Sequence, residues 1–240
     1  ASFSAACLNG LDGLELIARG WHIAEAMRRH LPPKFPDAAR ILIHSLPPSG
    51  TPRPAQQNES RRSALESGPT EPRPQGSGFS PTNTPDVQSS NDKMDTFRYL
   101  PHTQFVSKYG LDHFEDSMRA QYELTQRFTA EFSVRAFFER YPRETHARFV
   151  QWASDPNVHV RRLVSEGSRP RLPWGSRLRA FQKDPAPVLE LLEMLKDDPE
   201  LYVRRSVANN LNDIAKDHRG IAIETCRRWH NGEPNRMWII

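Results

Sequence analysis

From Pro142 onward the chain repeats itself at a constant offset of 43 residues. Pro142 corresponds to Pro185, Phe149 to Leu192, Trp152 to Leu195, Asp155-Pro156 to Asp198-Pro199, and Val160-Arg161-Arg162 to Val203-Arg204-Arg205, with Val164 and Val207 following in step. One shared dipeptide would be chance. This many positions in one register, laid out as helix, Asp-Pro turn, helix, mark a repeat in the ~40–47-residue class of HEAT and armadillo helix pairs. Each such pair has an apolar face it cannot cover alone, so neighbouring pairs must stack, and the chain is predicted to be an all-α, HEAT-like solenoid. Asp-Pro suits the turn, because proline fits the first turn of a helix and the aspartate before it accepts from amides that lack an intrahelical partner.

Apolar spacing predicts the individual helices. Leu14, Ile17, Ala18, Trp21, Ile23, Ala24 and Met27 form one, Pro32-Pro33 interrupts it, and residues 38–46 form a second, the two expected to lie as an antiparallel pair. After Met94, helices are predicted over 111–119, 121–140, 144–153, 158–166, 187–196, 202–216 and 221–229. Residues 47–93 differ in kind: nine prolines, eight serines and four glycines, with only Ala55, Ala64, Leu65, Phe79 and Val87 apolar. Such a tract cannot bury a core. Its five basic and five acidic residues cancel, which favours a disordered insertion over a basic nucleic-acid arm. The chain therefore divides into N-terminal solenoid helices (1–46), an insertion (47–93) and the repeat region (94–240).

Composition narrows the function. Across 240 residues, 33 Lys+Arg against 29 Asp+Glu give a formal charge of +4, a mild preference for an anionic partner. Cys7 and Cys226 stand far apart, so neither a disulfide framework nor a thiolate zinc site is built from them. No run of ~18 apolar residues and no secretion signal is seen, and a reducing cytosol is expected. None of the nine histidines falls in HExxH or comparable ligand spacing, and there is no Gly-rich phosphate loop or nucleophile elbow. No metal, cofactor or membrane partner is expected.

The residues that could carry chemistry lie on the second helices of the pairs. Val203, Val207, Leu211 and Ile214 mark an apolar side, and Arg205, Asn209 and Asp213 recur at i, i+4 and i+8 roughly opposite. Arg162 and Glu166 hold the corresponding place one repeat earlier, and Glu131 and Arg135 have the same spacing within FTAEFSVRAFF. Second helices usually line the concave surface of such a stack, so these stripes are expected to meet across one groove. Singly, each pair is explained as a surface ion pair of at most ~0.5 kcal/mol. Glu131 stands apart, because Phe128, Phe132, Phe137 and Phe138 surround it in sequence and a carboxylate among rings suits a partly dehydrated site. Asn209, Asn210 and Asn212 are poor helix formers, explained either by bonds to a neighbouring repeat or by a polar groove. Trp174 follows a proline amid Arg169, Arg171, Arg177 and Arg179. It reads either as an inter-repeat wedge or as a stacking face beside phosphate-seeking arginines.

Three segments, RYLPHTQFVSKYGLDHFEDSMRAQYELTQRFTAEFSVR, HVRRLVSEGSRPRLPWG and YVRRSVANNLNDIAKDH, together resemble the AlkC branch of the bacterial HEAT-like DNA alkylation repair glycosylases, over about residues 10–46 and 94–240. The resemblance implies a solenoid that binds alkylated double-stranded DNA on its concave face. It implies a monofunctional glycosylase of base-excision repair that cleaves the N-glycosidic bond of cationic N3-methylated bases such as 3-methyladenine and, in this branch, 3-methylcytosine. It places the acidic and aromatic site positions on Glu131 of TAEF, Trp174 of RPRLPW and Asp213 of NNLND, with Glu166 of SEG as a fourth. On this reading the carboxylates stabilise an oxocarbenium sugar and orient water, and Trp174 contacts the cation or sugar. Arg162, Arg169, Arg171, Arg205 and Asn209 would hold DNA. A monomer in the bacterial cytoplasm, at the nucleoid, is implied, as is an incomplete set of repeats after the position matching Trp238. The competing reading of the same residues is a non-catalytic HEAT-like scaffold, or an inactive fragment of such a glycosylase.

Overall fold

Every regular element among the residues described by the computed structural model, 2–48, 96–230 and 232–240, is a helix. The tract 47–93 lies almost wholly outside them. The N-terminal part supplies α1 (Phe3–Leu8), α2 (Leu16–His30) and α3 (Phe35–His44). A 3-10 turn, Thr96–Tyr99, leads into α4 (Leu100–Tyr109), followed by α5 (Phe114–Arg127), α6 (Val134–Arg140), α7 (Pro142–Trp152) and α8 (Val158–Gly167). After a loop come α9 (Arg179–Lys183), α10 (Ala186–Leu195), α11 (Leu201–Asp217), α12 (Arg219–Trp229) and α13 (Pro234–Met237).

The 43-residue register sets the stacking. α7 with α8 and α10 with α11 are the two predicted pairs, and α8 packs along α11 while α7 meets α10. Equivalent positions do equivalent work: Phe149 and Leu192 are both fully buried, as are Val160 and Val203, each such burial stabilising by ~1.5–3 kcal/mol. The core runs as one cluster from Met27 and Phe105 through Met118, Phe137 and Leu163 to Val207 and Trp229. Proline sits in the first turn of α3, α4, α7, α10 and α13, where no intrahelical amide is needed.

The Asp-Pro turns hold more than their own helices. Asp155 accepts from the amide of Asn157 at 2.8 Å, and Asp198 from that of Glu200 at 2.9 Å. Arg161 donates to the carbonyls of Asp155 (2.9 Å) and Pro156 (3.1 Å), and its counterpart Arg204 to those of Asp198 (2.6 Å) and Pro199 (2.8 Å). Arg161 also reaches across to the next repeat, forking onto the Asp198 carboxylate at 2.6 and 3.1 Å. One half-buried guanidinium thus ties two successive turns together.

Two expectations are corrected. The helix predicted over 121–140 is two helices, because α5 stops at Arg127 and α6 starts at Val134. Phe128 leaves helical geometry (φ −133°, ψ −117°) and buries its ring edge-on against Phe97 at 5.8 Å. The two N-terminal helices form, but their main partners lie elsewhere, with α2 along α4 and α3 along α5. The unforeseen α4 makes this possible, and Gly20 permits it: a Cβ there would lie 2.2 Å from Gln104 Oε1.

Replacing Asp198 with alanine strands the Arg161 fork and one turn amide, and a loss of ~3–5 kcal/mol is expected for breaking a buried pair from one side. Urea unfolding of Asp198→Ala, Arg161→Ala and the double variant measures it; additive losses would show that the two side chains do not act together.

Candidate active site

The break between α5 and α6 creates the site. It turns Glu131 off the helical path, where the Thr129 hydroxyl donates to its carboxylate at 2.8 Å and Arg162 of α8 donates to the same oxygen. From there charges alternate along a line. Arg162 lies 3.5 Å from Glu166 one helical turn on, Arg169 donates to Glu166 at 2.7 Å and to Asp213 of α11 at 2.8 Å, and Lys216 closes the series on Asp213 at 2.9 Å. Ser206 adds a hydrogen bond to Glu166 at 2.6 Å. The order is Glu131, Arg162, Glu166, Arg169, Asp213, Lys216. Burial of any one of these ions costs several kcal/mol unless paired, and the alternation supplies each inner member with two partners.

The electrostatics follow from that order. Burial opposes the charge on Glu166, but Arg162, Arg169 and the Ser206 hydroxyl outweigh it and hold its carboxyl below the usual range. Burial likewise opposes the charges on Arg162 and Arg169, and the carboxylates beside them push both upward. The Arg162 guanidinium also lies over the Tyr202 ring, 5.4 Å from its centre.

A second buried arginine shapes the loop between α8 and α9. Arg135 is 0% exposed. It donates to the carbonyls of Gly167 (3.2 Å), Arg169 (2.8 Å) and Ser176 (2.5 Å), gripping both ends of the loop. Burial lowers its pKa to about 10, and its remaining terminal nitrogen has no partner among the described residues. Leu172 and Leu178 anchor the loop inward, and Trp174 stands out from it, 79% exposed, at a φ of 61°. A bulky ring at positive φ is strained backbone of the kind concentrated at functional sites.

Between these parts lies a hollow of about 250 Å³, walled by Phe97, Phe128, Phe132, Leu172 and Pro173, with Trp174 at its rim and Glu131, Glu166 and Arg169 facing it. Glu131, Glu166 and Trp174 are therefore brought together. Asp213 is not: it is 0% exposed and sits behind Arg169, reaching the hollow only through that guanidinium. The stripe that joined it to Arg205 and Asn209 fails because eight residues at 100° each overshoot by ~80°. Arg205 and Asn209 face solvent while Asp213 turns inward with Ser206 and Asn210. Arg162 and Arg169 are committed to carboxylates rather than presented to phosphates, because Arg169 is buried and Arg162 half-buried in the charge series. Arg171 pairs with Asp217 at 2.8 Å, and that bond holds Asp217 down to about 2. The expected Glu131–Arg135 pair is replaced by Glu131–Arg162 and the Arg135 loop clamp. Trp174 is no wedge. Asn210 bonds to the Ser165 carbonyl at 2.7 Å, the inter-repeat contact considered for the asparagines, while Asn209 and Asn212 stay exposed.

Sequence reasoning named Arg135 but gave it the wrong partner, and it missed Ser206 and the wall residue Phe97. For Ser206 a signal existed, a small polar residue amid the apolar face of α11. Among the described residues there is no cluster of metal-ligating side chains, and no helix long and apolar enough to cross a membrane.

In fold the chain is similar to helical-repeat DNA alkylation repair glycosylases of the AlkC type. In particular it is similar to the structure of Pseudomonas fluorescens alkylpurine DNA glycosylase AlkC bound to DNA containing an abasic site analog, at a TM-score of 0.74 and 31% identity over 99% of this chain and 54% of that one. An uncharacterized protein of Bacillus subtilis (strain 168), YhaZ, is 48% identical over 136 residues, 57% of this chain and 38% of its own length. AlkD2 from Streptococcus mutans is a weaker likeness, with a TM-score of 0.45 and 17% identity over 89% of this chain and 95% of that one. No family model matches the sequence. The chain spans about half the length of the AlkC structure and less of YhaZ.

The depressed pKa of Glu166 sets an acid dependence. A carboxyl that titrates lower in the folded than in the unfolded chain adds stability above its unfolded pKa of about 4.5, lost as pH falls through the folded value. Urea unfolding is therefore expected to show Glu166→Gln less stable than the parent at pH 7, with the gap shrinking below about pH 4.5. A gap constant with pH would remove Glu166 as the titrating member.

Proposed function

We propose that the chain is an N-glycosylase acting on alkylated double-stranded DNA in base-excision repair. The supporting observation is one hollow that joins two carboxylates, Glu131 and Glu166, to the exposed face of Trp174. The similarity to AlkC across 99% of the chain agrees with it. A base alkylated at N3 carries positive charge and leaves readily, so the protein need supply no strong acid. It must stabilise positive charge moving onto the sugar and place a water at C1′.

Glu131 has the right position for that work, at the hollow and with its carboxylate oriented by Thr129 and Arg162. Glu166 adds negative potential beside it, and Trp174 offers a π face to the cationic base or the sugar. Asp213 is a positioning residue that fixes Arg169, which in turn fixes Glu166. The phosphate contacts fall to exposed Arg205 and Asn209 and to the partly exposed Arg171. The substrates that best fit are cationic N3-methylated bases, 3-methyladenine first and 3-methylcytosine second, since each carries the charge the two carboxylates would attract.

Release of free base from methylated duplex DNA tests this. Glu131→Gln is expected to slow single-turnover release by ~10²-fold or more, and Trp174→Ala by about tenfold. Arg205→Ala is expected to weaken DNA binding uniformly and reduce the salt slope by about 1. Release that survives unaltered in both Glu131→Gln and Glu166→Gln would remove these carboxylates from the chemistry. No release by a folded parent that still takes up a protein partner would leave the scaffold reading in its place.

A further inference from the structure

Three segments carry the groups around the hollow, and one side chain joins all three. Glu131 stands just ahead of α6, Glu166 and Arg169 lie at the end of α8, and Trp174 rides the loop that follows. Arg135 leaves α6 four residues after Glu131 and gives its hydrogens to backbone. It donates to the carbonyl of Gly167, the last residue of α8, at 3.2 Å, to that of Arg169, where the loop starts, at 2.8 Å, and to that of Ser176, two residues past Trp174, at 2.5 Å. All three acceptors are carbonyls rather than carboxylates, so its charge answers the negative end of the α8 dipole and stands apart from the alternating series. The loop also packs on the arginine stem. A Cβ on Gly175 would lie 3.4 Å from Arg135 Cδ and Nε and 3.0 Å from Leu172 Cδ2, so the residue after Trp174 is where the backbone closes onto the clamp. The conformation of Trp174 needs such a clamp. A bulky residue stays at a φ of 61° only where its surroundings over-determine it, and a ring 79% exposed has little packing of its own to do so. Within the loop the bonds from the Gly175 amide to the Leu172 carbonyl and from the Leu178 amide to the Pro170 carbonyl are both 3.2 Å long. The bonds from Arg135 to Arg169 and Ser176 are shorter and charge-assisted, and therefore the stronger restraint.

Resting on the glycosylase reading above, we propose that Arg135 is a positioning residue of the reaction, holding the Trp174 ring in place at the rim of the hollow that Glu131 faces. Being 0% exposed, it meets neither base, sugar nor phosphate. A π face steadies a cation only within about 6 Å of its centre, so a ring free to swing on a loosened loop loses that effect while remaining present. Arginine is suited to the task because one planar fork serves carbonyls on both sides of it, whereas an ammonium on a flexible stem does not fix two ends of a loop at once. The exposed groups that meet phosphate lie elsewhere. Loss of the clamp therefore slows bond cleavage and leaves the grip on DNA as it was.

Arg135→Lys, which keeps the charge and loses the fork, is the test. Single-turnover release of base from methylated duplex DNA is expected to slow about fivefold, short of the loss in Trp174→Ala, while Kd for the same duplex changes less than twofold. In protein labelled with 5-fluorotryptophan, the Trp174 resonance, assigned by Trp174→Phe, is expected to move toward that of free 5-fluorotryptophan. The buried Trp152 and Trp229 resonances should stay in place, as the sign of an intact fold. In the Trp174→Ala background the same exchange is expected to cost less than twofold, because the ring through which Arg135 acts is already gone. Should Arg135→Lys fail to fold, Gly175→Ala presses the loop off the arginine stem and is held to the same readouts. Folded Arg135→Lys that releases base at the parent's rate overturns the proposal, as does a Trp174 resonance that does not move. Losses from Arg135→Lys and Trp174→Ala that multiply, or a fall in DNA affinity as large as the fall in release, overturn it equally. Failure of the glycosylase reading would appear separately, as no release by the folded parent, and the Trp174 resonance then still decides whether Arg135 holds the ring.

Discussion

The position of α11 against α8 depends on one half-buried guanidinium. Arg161 grips the carbonyls of its own Asp-Pro turn and the carboxylate of the next, so the two turns cannot slide past one another without stranding a cation and an anion together. That register decides whether Arg169, leaving the end of α8, meets Asp213. It also decides whether Ser206 meets Glu166 and Asn210 meets Ser165, contacts that span 40 to 45 residues of sequence. The hollow is thus assembled at a junction between repeats rather than within one.

The charge series at that junction explains why arginines beside the hollow are not free to take an anion from outside. Arg162 and Arg169 sit among three carboxylates, and each uses its planar fork to hold two of them apart at fixed spacing. A lysine could supply the charge but not the two-sided geometry. The balance leaves Glu131, the end member, with a single ionic partner and a side open to the hollow, whereas Asp213 is capped from both sides.

Much of this was legible from residue types, and the rest was hidden for definable reasons. The 43-residue register, both helix pairs and the work of Asp155 and Asp198 follow from local chemistry that any neighbour would share. The break at Phe128 does not, because apolar residues continue in helical period straight through it and only the tertiary contact with Phe97 pays for leaving the helix. The loop-clamping role of Arg135 was hidden for another reason: its partners are backbone carbonyls, which every residue has, so no partner type can be sought in sequence. Asp213 was named as a site residue but given the wrong face, since a period of four drifts around a helix within two turns. α4 was overlooked because its apolar residues give it little one-sidedness, most of it being enclosed by α2, α3, α5 and α6.

Trp174 carries a further implication for how such a chain can change over generations. Its backbone sits where glycine or asparagine would rest without strain, yet it bears one of the largest side chains in an exposed position. Selection for folding stability alone would favour relaxing that residue, and selection for surface solubility would favour the same exchange. Libraries screened only for expression or heat resistance should therefore drift toward small residues at 174, shedding the strained backbone and the exposed ring together.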